Sequence, residues 1–140
     1  MVRAEGFPSV PELVGRTVVS IGVDVVDIDR MRRIVGRQPR FVERVFTTAE
    51  RAYSEAAVDS AERFAARFAA KEAGLKALGV GLGGADFVDL VVIKRSSGEP
   101  VLVVTGRAAA RAAELGISSW LLTLSHSDSV ACAVVVGLAE

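Results

Sequence analysis

The 140-residue sequence predicts an α+β fold in which a mostly antiparallel sheet packs against one long helix. Residues 18–26 form an apolar, strand-like run close to the N-terminus. Residues 60–78 have helical spacing and end at Gly79, a residue typical of helix C-termini. After this helix the pattern changes to short apolar runs separated by turn residues, which favours antiparallel strands. The sequence shows no internal repeat, linker or low-complexity tract.

The two ends of the chain differ in their expected order. Residues 1–16 contain Pro8, Pro11 and Gly15, which oppose regular structure, so we expect a loosely ordered N-terminal extension. Residues 17–140 are long enough to form one domain with a substantial core. We therefore expect a single domain over 17–140.

The first half of this domain is predicted to contain one strand and three helices. Asp29 and Asp59 are candidate N-caps, and Thr47 with Glu50 forms the spacing of a capping box. Pro39 blocks continuation of the first helix. The predicted elements are a strand over 17–28, a basic helix from Asp29 to Gly36, a helix from Thr47 to Ser54, and the long helix from Asp59 to Gly79.

The second half is predicted to be mostly strand. One helix is expected here, because Thr105 is a candidate N-cap and Gly116 a stop signal. The final two strands are expected to form a hairpin around residues 126–129. The predicted elements are strands over 87–94 and 101–104, a helix over 107–115, and strands over 120–125 and 130–136.

Composition limits the classes of protein to which the chain can belong. The apolar fraction is 51% and the charged fraction 24%, as in ordinary globular proteins. The single cysteine excludes an internal disulfide framework and suits a reducing cytoplasm, where we expect the protein to reside. No apolar run is long enough to span a membrane, so a membrane partner is not expected.

The net charge is zero, but one segment is strongly basic. Six arginines and one glutamate lie between positions 30 and 44, a local excess of five positive charges. Such a face indicates an acidic partner. A small nucleic-acid-binding domain is an alternative, although the segment has little aromatic interleaving and no nucleic-acid-binding motif is visible. We therefore do not expect a nucleic acid partner.

Two acidic residues interrupt apolar patterns. Asp24 lies within the first strand, and Glu72 follows Phe68 by four residues on one side of the long helix. Carboxylates in apolar surroundings are costly unless a cation compensates them. A shared divalent metal would do so, and oxygen ligands without a Cys/His cluster favour Mg²⁺. The alternative is a pair of satisfied or rim-exposed acids.

Three further features have both an ordinary and a functional interpretation. Lys76 follows Glu72 by four residues, which suits a helix-surface ion pair or, alternatively, the neutralisation of phosphate charge. The loop 79–84 fits the dinucleotide-binding pattern G-x-G-x-x-G, but it follows a helix, so we reject a Rossmann site. Two interpretations remain: the loop is a helix stop, or it is a flexible loop beside a nucleotide. His126 is the only histidine and suits a structural or a catalytic role.

Several of these segments together resemble the holo-acyl-carrier-protein synthases, the small bacterial class of 4′-phosphopantetheinyl transferases. The resemblance covers about residues 19–136 and leaves residues 1–16 outside. It rests on Gly22-Val23-Asp24, Arg67-Phe68-Ala69-Ala70-Lys71-Glu72-Ala73 with Lys76, Arg30, Arg37-Gln38-Pro39-Arg40-Phe41, the glycine loop and Leu124-Ser125-His126.

The resemblance implies the 4′-phosphopantetheinyl transferase fold and a defined reaction. The phosphopantetheine arm of coenzyme A would move to a serine of an apo acyl carrier protein, releasing adenosine 3′,5′-bisphosphate. The implied catalytic residues are Asp24, Glu72 and Lys76, with Asp24 and Glu72 as Mg²⁺ ligands. Coenzyme A binding is implied for Arg67, Lys76, Gly81, Gly83 and His126.

The resemblance also bears on the partners. An acidic carrier protein gives the basic segment a function, with Arg30, Arg37 and Arg40 as the expected docking residues. The family commonly forms a homotrimer with active sites at subunit interfaces, which we expect here. The alternative function is a non-catalytic module that binds coenzyme A or a carrier protein, and the intact Asp24, Glu72 and Lys76 argue against it.

Overall fold

The computed structural model describes residues 15–81 and 83–140. Most of the predicted N-terminal extension, residues 1–14, lies outside the described residues. The fold is α+β, as predicted. The helices are α1 (Ile28–Arg37), α2 (Pro39–Val45), α3 (Thr48–Glu55), α4 (Ser60–Leu78) and α5 (Gly106–Glu114). The strands are β1 (Thr17–Asp27), β2 (Leu90–Lys94), β3 (Pro100–Val104), β4 (Ser119–His126) and β5 (Val130–Ala139).

The strands pair antiparallel throughout, which confirms the predicted type of sheet. One sheet has the order β1-β5-β4, and β2 and β3 form a separate two-stranded sheet. In the first sheet, Asp24 of β1 lies opposite Ala133, which in turn lies opposite Leu124 of β4. Helix α4 contacts both β1 and β5. The register therefore brings Asp24 to the face of the sheet on which the long helix packs.

Small residues allow α4 to approach β1 very closely. Ala69, Ala70 and Ala73 on the helix are completely buried. At Gly22 of β1, an added Cβ would lie 1.9 Å from the carbonyl oxygen of Ala73. Because no Cβ atom fits at that distance, backbone contacts backbone at this point. This contact places Glu72, the residue before Ala73, next to the strand that carries Asp24.

The helix caps differ in part from the predictions. The capping box of Thr47 and Glu50 is present, with both reciprocal hydrogen bonds. Helix α1 is capped by Asp27, which accepts from the Arg30 N–H, and Asp29 lies in the first turn instead. Asp59 occupies the N-cap position of α4 without capping it, because its carboxylate accepts from Arg32.

Two other segments also depart from expectation. Helix α2 was not predicted, although Pro39 starts it at a position where a missing N–H costs nothing. Residues 87–89, predicted as the start of a strand, form a 3₁₀ turn instead.

One face of the three-stranded sheet is apolar and uncovered within the described chain. From Val19 onward β1 alternates: Gly22 and Asp24 face α4, whereas Ile21, Val23 and Val25 are 66%, 51% and 59% exposed. These three valine and isoleucine side chains lie opposite Val136, Val134 and Cys132 of β5. Cys132 is half-buried and lies on this outer face.

Among residues 15–81 and 83–140, no helix is both long enough and apolar enough to cross a lipid bilayer. The longest helix, α4, carries charged side chains along its length.

Candidate functional site

Asp24 and Glu72 line the same groove, as their predicted pairing requires. The groove has a volume of about 360 Å³ and lies between β1, α1 and α4. One side is acidic, and the other side is apolar. The lining residues are Asp24, Val25, Val26, Asp27, Arg30, Met31, Ile34, Phe41, Phe68 and Glu72.

The charged form of Glu72 is disfavoured in this groove. Burial raises the pKa of Glu72 above its usual value, and the neighbouring Asp24 charge raises it further. Lys76 acts in the opposite direction. A carboxyl whose charged form is disfavoured by both burial and a second acid gains most from an added positive charge.

Lys76 contacts the strand instead of its helical neighbour. Its ammonium donates to the Asp24 carboxylate at 3.0 Å and to the Val23 carbonyl oxygen at 2.9 Å. The predicted surface ion pair with Glu72 is therefore replaced by a link from α4 to β1. The lysine side chain is 55% exposed, so the amine remains accessible to a ligand.

The donor set of the groove fits Mg²⁺ and does not fit zinc. Its two candidate ligands, Asp24 and Glu72, are carboxylates, and no cluster of three or more His, Cys, Asp or Glu suited to a metal occurs among the described residues. Mg²⁺ commonly takes one or two carboxylates and leaves its remaining positions to water and substrate phosphates. Two carboxylates that line one groove, with Glu72 disfavoured in its charged form, match that pattern.

The three expected docking arginines lie in two adjoining grooves. Arg30 lines the acidic groove, next to Asp24. Arg37 and Arg40 line a neighbouring groove of about 400 Å³, and Phe41 belongs to the walls of both. No carboxylate of the described residues pairs with these three side chains. The basic surface therefore runs directly up to the edge of the acidic groove.

Arg67 lines a third cavity, of about 270 Å³, on the opposite side of α4. Its guanidinium stacks on the Tyr53 ring, with the central carbon 3.9 Å from the ring centre. The residue is only 5% exposed, and its Nε has no hydrogen-bond partner among the described residues. Burial lowers the pKa of Arg67 from its usual value. A guanidinium that lines a cavity is suited to an anion.

Two residues of this cavity were not predicted. The Tyr53 ring stacks on the Arg67 guanidinium, and the Lys94 ammonium lies 5.9 Å from the centre of that ring. Lys94 was assigned only to a strand, and Tyr53 to the end of a short helix. The sequence carried one signal, namely that Tyr53 is the only tyrosine and lies near the end of a helix that packs on α4.

His126 lies at the end of β4 and pairs with an acid on α4. Its Nε2 is 3.0 Å from Glu62 Oε1, and both side chains are partly exposed. The hairpin turn that follows is held by the Ser127 hydroxyl, which accepts from the Ser129 and Val130 N–H groups. His126 and Arg67 are thus held by α4 or its contacts, away from the acidic groove.

The glycine loop follows α4, and its last part is held by α5. Gly79 ends the helix in the left-handed conformation, with φ of 66°. Gly83 also has a positive φ, of 89°, and its carbonyl oxygen accepts from Arg107 of α5 at 2.5 Å. No atom lies within 4 Å of a Cβ added at Gly81 or Gly83, so both positions are open to solvent on that side.

The comparisons with known proteins agree with this geometry. The sequence model of the 4′-phosphopantetheinyl transferase superfamily matches residues 20–135. A holo-[acyl-carrier-protein] synthase from Anaeromyxobacter dehalogenans is 48% identical over 123 residues, which is 85% of this chain and 94% of the relative.

Two solved structures illustrate the similarity of fold. The holo-[acyl-carrier-protein] synthase from Neisseria meningitidis superposes with a TM-score of 0.76 at 29% identity, covering 86% of this chain and 98% of its own. The Helicobacter pylori enzyme in complex with coenzyme A superposes with a TM-score of 0.73 at 32% identity, covering 84% and 98%. By sequence and by structure, this chain belongs to the holo-[acyl-carrier-protein] synthase family of the 4′-phosphopantetheinyl transferase superfamily.

Proposed function

We propose that this protein transfers the 4′-phosphopantetheine arm of coenzyme A to a serine of an apo acyl carrier protein. The observation that carries the proposal is the acidic groove lined by Asp24, Glu72 and Arg30, with Lys76 bonded to the Asp24 carboxylate. Membership of the family supports the same reaction. A binding-only module would have no use for two adjacent carboxylates of which Glu72 is costly to ionise.

The reaction is a phosphoryl-type substitution. The serine oxygen forms a bond to the β-phosphorus of the coenzyme A pyrophosphate, and the bond from that phosphorus to the bridging oxygen breaks. Adenosine 3′,5′-bisphosphate leaves with the electron pair, and the serine proton passes to a base. Catalysis of such a step depends on positioning and on stabilising the charge of the phosphate oxygens.

We assign the central roles to three residues. Asp24 and Glu72 would hold Mg²⁺, which supplies positive charge to the pyrophosphate oxygens when bound. Lys76 can turn from the Asp24 carboxylate, 3.0 Å away, to a phosphate oxygen, because its side chain is more than half exposed. Either Glu72 or a water activated by that Mg²⁺ would accept the serine proton.

The remaining charged sites suit the nucleotide end of coenzyme A. Arg67 offers a guanidinium that lines a cavity, and His126 offers a partly exposed imidazole. Gly81 and Gly83 leave backbone accessible on the loop after α4. We propose that these four residues bind coenzyme A, together with Lys76 at the pyrophosphate.

Intact-mass spectrometry tests the reaction directly. An apo acyl carrier protein is incubated with this protein and coenzyme A, once with Mg²⁺ and once with EDTA. A phosphopantetheine-sized mass gain that requires Mg²⁺ is the expected result. Absence of any gain with several carrier proteins, while coenzyme A binding persists, would favour the non-catalytic binding module. Using carrier proteins of fatty-acid and polyketide synthesis assigns the pathway.

The carrier protein is expected to dock on the arginine surface. Arg30→Glu reverses the charge and should raise the KM for the carrier protein about tenfold, with a much smaller decrease in kcat. The reason is that charges at the rim of an interface mainly govern how often the two proteins meet and in which register they bind. Steady-state kinetics with varied carrier protein measures this. Arg95→Glu is the matched control, since it reverses an exposed arginine on the turn between β2 and β3. An unchanged KM in Arg30→Glu would place docking elsewhere.

We further propose a homotrimer with active sites at the subunit interfaces, operating in the cytoplasm. The uncovered face around Ile21, Val23 and Val25 supports this, because contiguous exposed apolar residues on a strand mark a protein interface. The sequence resemblance adds the expectation of a trimer in particular.

Introducing a charge tests the assembly. Val23→Lys should convert the trimer to monomer and remove most of the activity, since a buried unpaired ammonium is strongly unfavourable. Light scattering coupled to gel filtration gives the mass. Val58→Lys makes the same substitution at a fully exposed valine in the α3–α4 loop and should remain trimeric. A monomeric wild type would contradict the proposal.

A further inference from the structure

An ion pair is enclosed in the interior next to the Arg67 cavity. Lys71 is completely buried, and Glu50 is 2% exposed. The Lys71 ammonium lies 2.8 Å from Glu50 Oε1 and also donates to the carbonyl oxygens of Phe87 and Leu90, at 3.0 and 2.8 Å. All three ammonium donors are therefore used, and the charge does not face the acidic groove.

The Glu50 carboxylate is equally well bonded. Its Oε1 accepts from the Thr47 N–H at 2.9 Å, as part of the capping box of α3. Its Oε2 accepts from the Val92 N–H of β2 at 3.0 Å. The pair thus joins α3, α4, the 3₁₀ turn and β2 through directional hydrogen bonds.

Three of these four elements, α3, α4 and β2, supply the polar walls of the Arg67 cavity. Lys71 lies one helical turn after Arg67 on α4, and Glu50 lies one turn before Tyr53 on α3. On β2, Val92 lies two residues before Lys94 and on the same side of the strand. Arg67, Tyr53 and Lys94 therefore each lie within four residues of a residue that takes part in the hydrogen bonds of the ion pair.

A role in stability alone does not account for this arrangement. Replacing a buried ion pair by apolar side chains is often neutral or stabilising, so stability is a weak reason for its presence. Hydrogen bonds are directional, so they differ from apolar packing in fixing how each helix or strand is rotated and shifted relative to its neighbours. The stacking of the Arg67 guanidinium on the Tyr53 ring depends on how α3 and α4 are aligned.

We propose that Glu50 and Lys71 are positioning residues that hold Arg67, Tyr53 and Lys94 in place for binding the nucleotide end of coenzyme A. This inference rests on the proposed role of Arg67 in coenzyme A binding. The pair acts through these walls and contacts neither the substrate nor the reacting atoms.

The test compares binding and turnover in one series of variants. Glu50→Gln keeps the size of the side chain and removes its charge. We expect the Kd of coenzyme A, measured by calorimetry, and its KM to rise about 3- to 10-fold, whereas kcat and the KM for the carrier protein change less than about twofold. The double variant Glu50→Gln/Lys71→Met, which leaves no unpaired buried charge, should show the same rise in Kd.

A control separates positioning from loss of stability. Val135→Ala removes a completely buried side chain of β5 that does not line the Arg67 cavity. At an equal decrease in Tm, Val135→Ala should leave the Kd of coenzyme A unchanged. A wild-type Kd in Glu50→Gln, or an equal rise in Val135→Ala, would overturn the inference.

The outcome also distinguishes the inference from the function on which it rests. If the wild type binds coenzyme A but modifies no carrier protein, the proposed transferase activity is contradicted. The comparison of coenzyme A Kd values among the variants then still tests the positioning role. A wild-type Kd in Arg67→Ala would remove the premise and overturn the inference with it.

Discussion

Glu72→Gln should abolish most Mg²⁺-dependent transfer while leaving the fold intact. We expect kcat to decrease about 10²- to 10³-fold, the scale observed when one group that stabilises transition-state charge is lost. Glu72 lies in the acidic groove next to Asp24, so the amide removes one of two candidate metal ligands. Single-turnover assays with saturating Mg²⁺, together with circular dichroism, measure both effects. Near-normal kcat would exclude the two-carboxylate site.

The same variant reports on the pKa of Glu72. Burial and Asp24 raise that pKa in the folded state, so the folded protein binds this proton more tightly than the unfolded chain does. The resulting stabilisation is complete below the usual glutamate pKa and is lost as the pH rises through the higher folded value. In EDTA, the Tm of wild type relative to Glu72→Gln should therefore decrease from acid to neutral pH. A flat difference would contradict the raised pKa.

Gly22→Ala should destabilise the protein by roughly 3 kcal/mol or more and inactivate what remains folded. A Cβ at this position would lie 1.9 Å from the Ala73 carbonyl oxygen and 2.8 Å from the Ala77 nitrogen. Both contacts are with backbone, so no rotamer change can relieve them. Helix α4 must move away from β1, and Glu72 must then move away from Asp24. Urea denaturation and transfer assays measure the two consequences.

Gly36→Ala is the matched control for this substitution. Gly36 lies in α1, and nothing is within 4 Å of its added Cβ. Alanine there should stabilise the protein by about 0.4–1 kcal/mol, because it restricts the unfolded chain and favours the helix. Equal urea midpoints for the two variants would show that the contact at Gly22 is not sterically limiting.

The sequence predicted the elements whose signals are local. The long helix was predicted to extend to Gly79 and ends at Leu78, with Gly79 in the left-handed conformation. The capping box at Thr47 was likewise confirmed, because its bonds join residues three apart. The pairing of Asp24 with Glu72 also came from the sequence, since each acid interrupts a strong apolar pattern and the resemblance linked the two.

Features that depend on tertiary contacts could not be found in the same way. Asp59 had the position of a cap, but a more distant partner, Arg32, takes its carboxylate. Lys76 had the spacing for a bond to Glu72, yet the closeness of β1 gives it Asp24 instead. Lys71 has no local signal that separates it from other charged helix residues, because its partner, Glu50, lies 21 positions away and the two form a buried pair.

The contact between Gly22 and Ala73 has a consequence for how the sequence can vary. One side of the contact is a carbonyl oxygen, which every amino acid provides, and the other is a Cα that bears only hydrogen. Substitutions in the acidic groove can therefore alter its charge and shape without altering the gap between α4 and β1. The spacing of the two acids is therefore set by the main chain, and it can change only where Gly22 or the small residues of α4 are replaced.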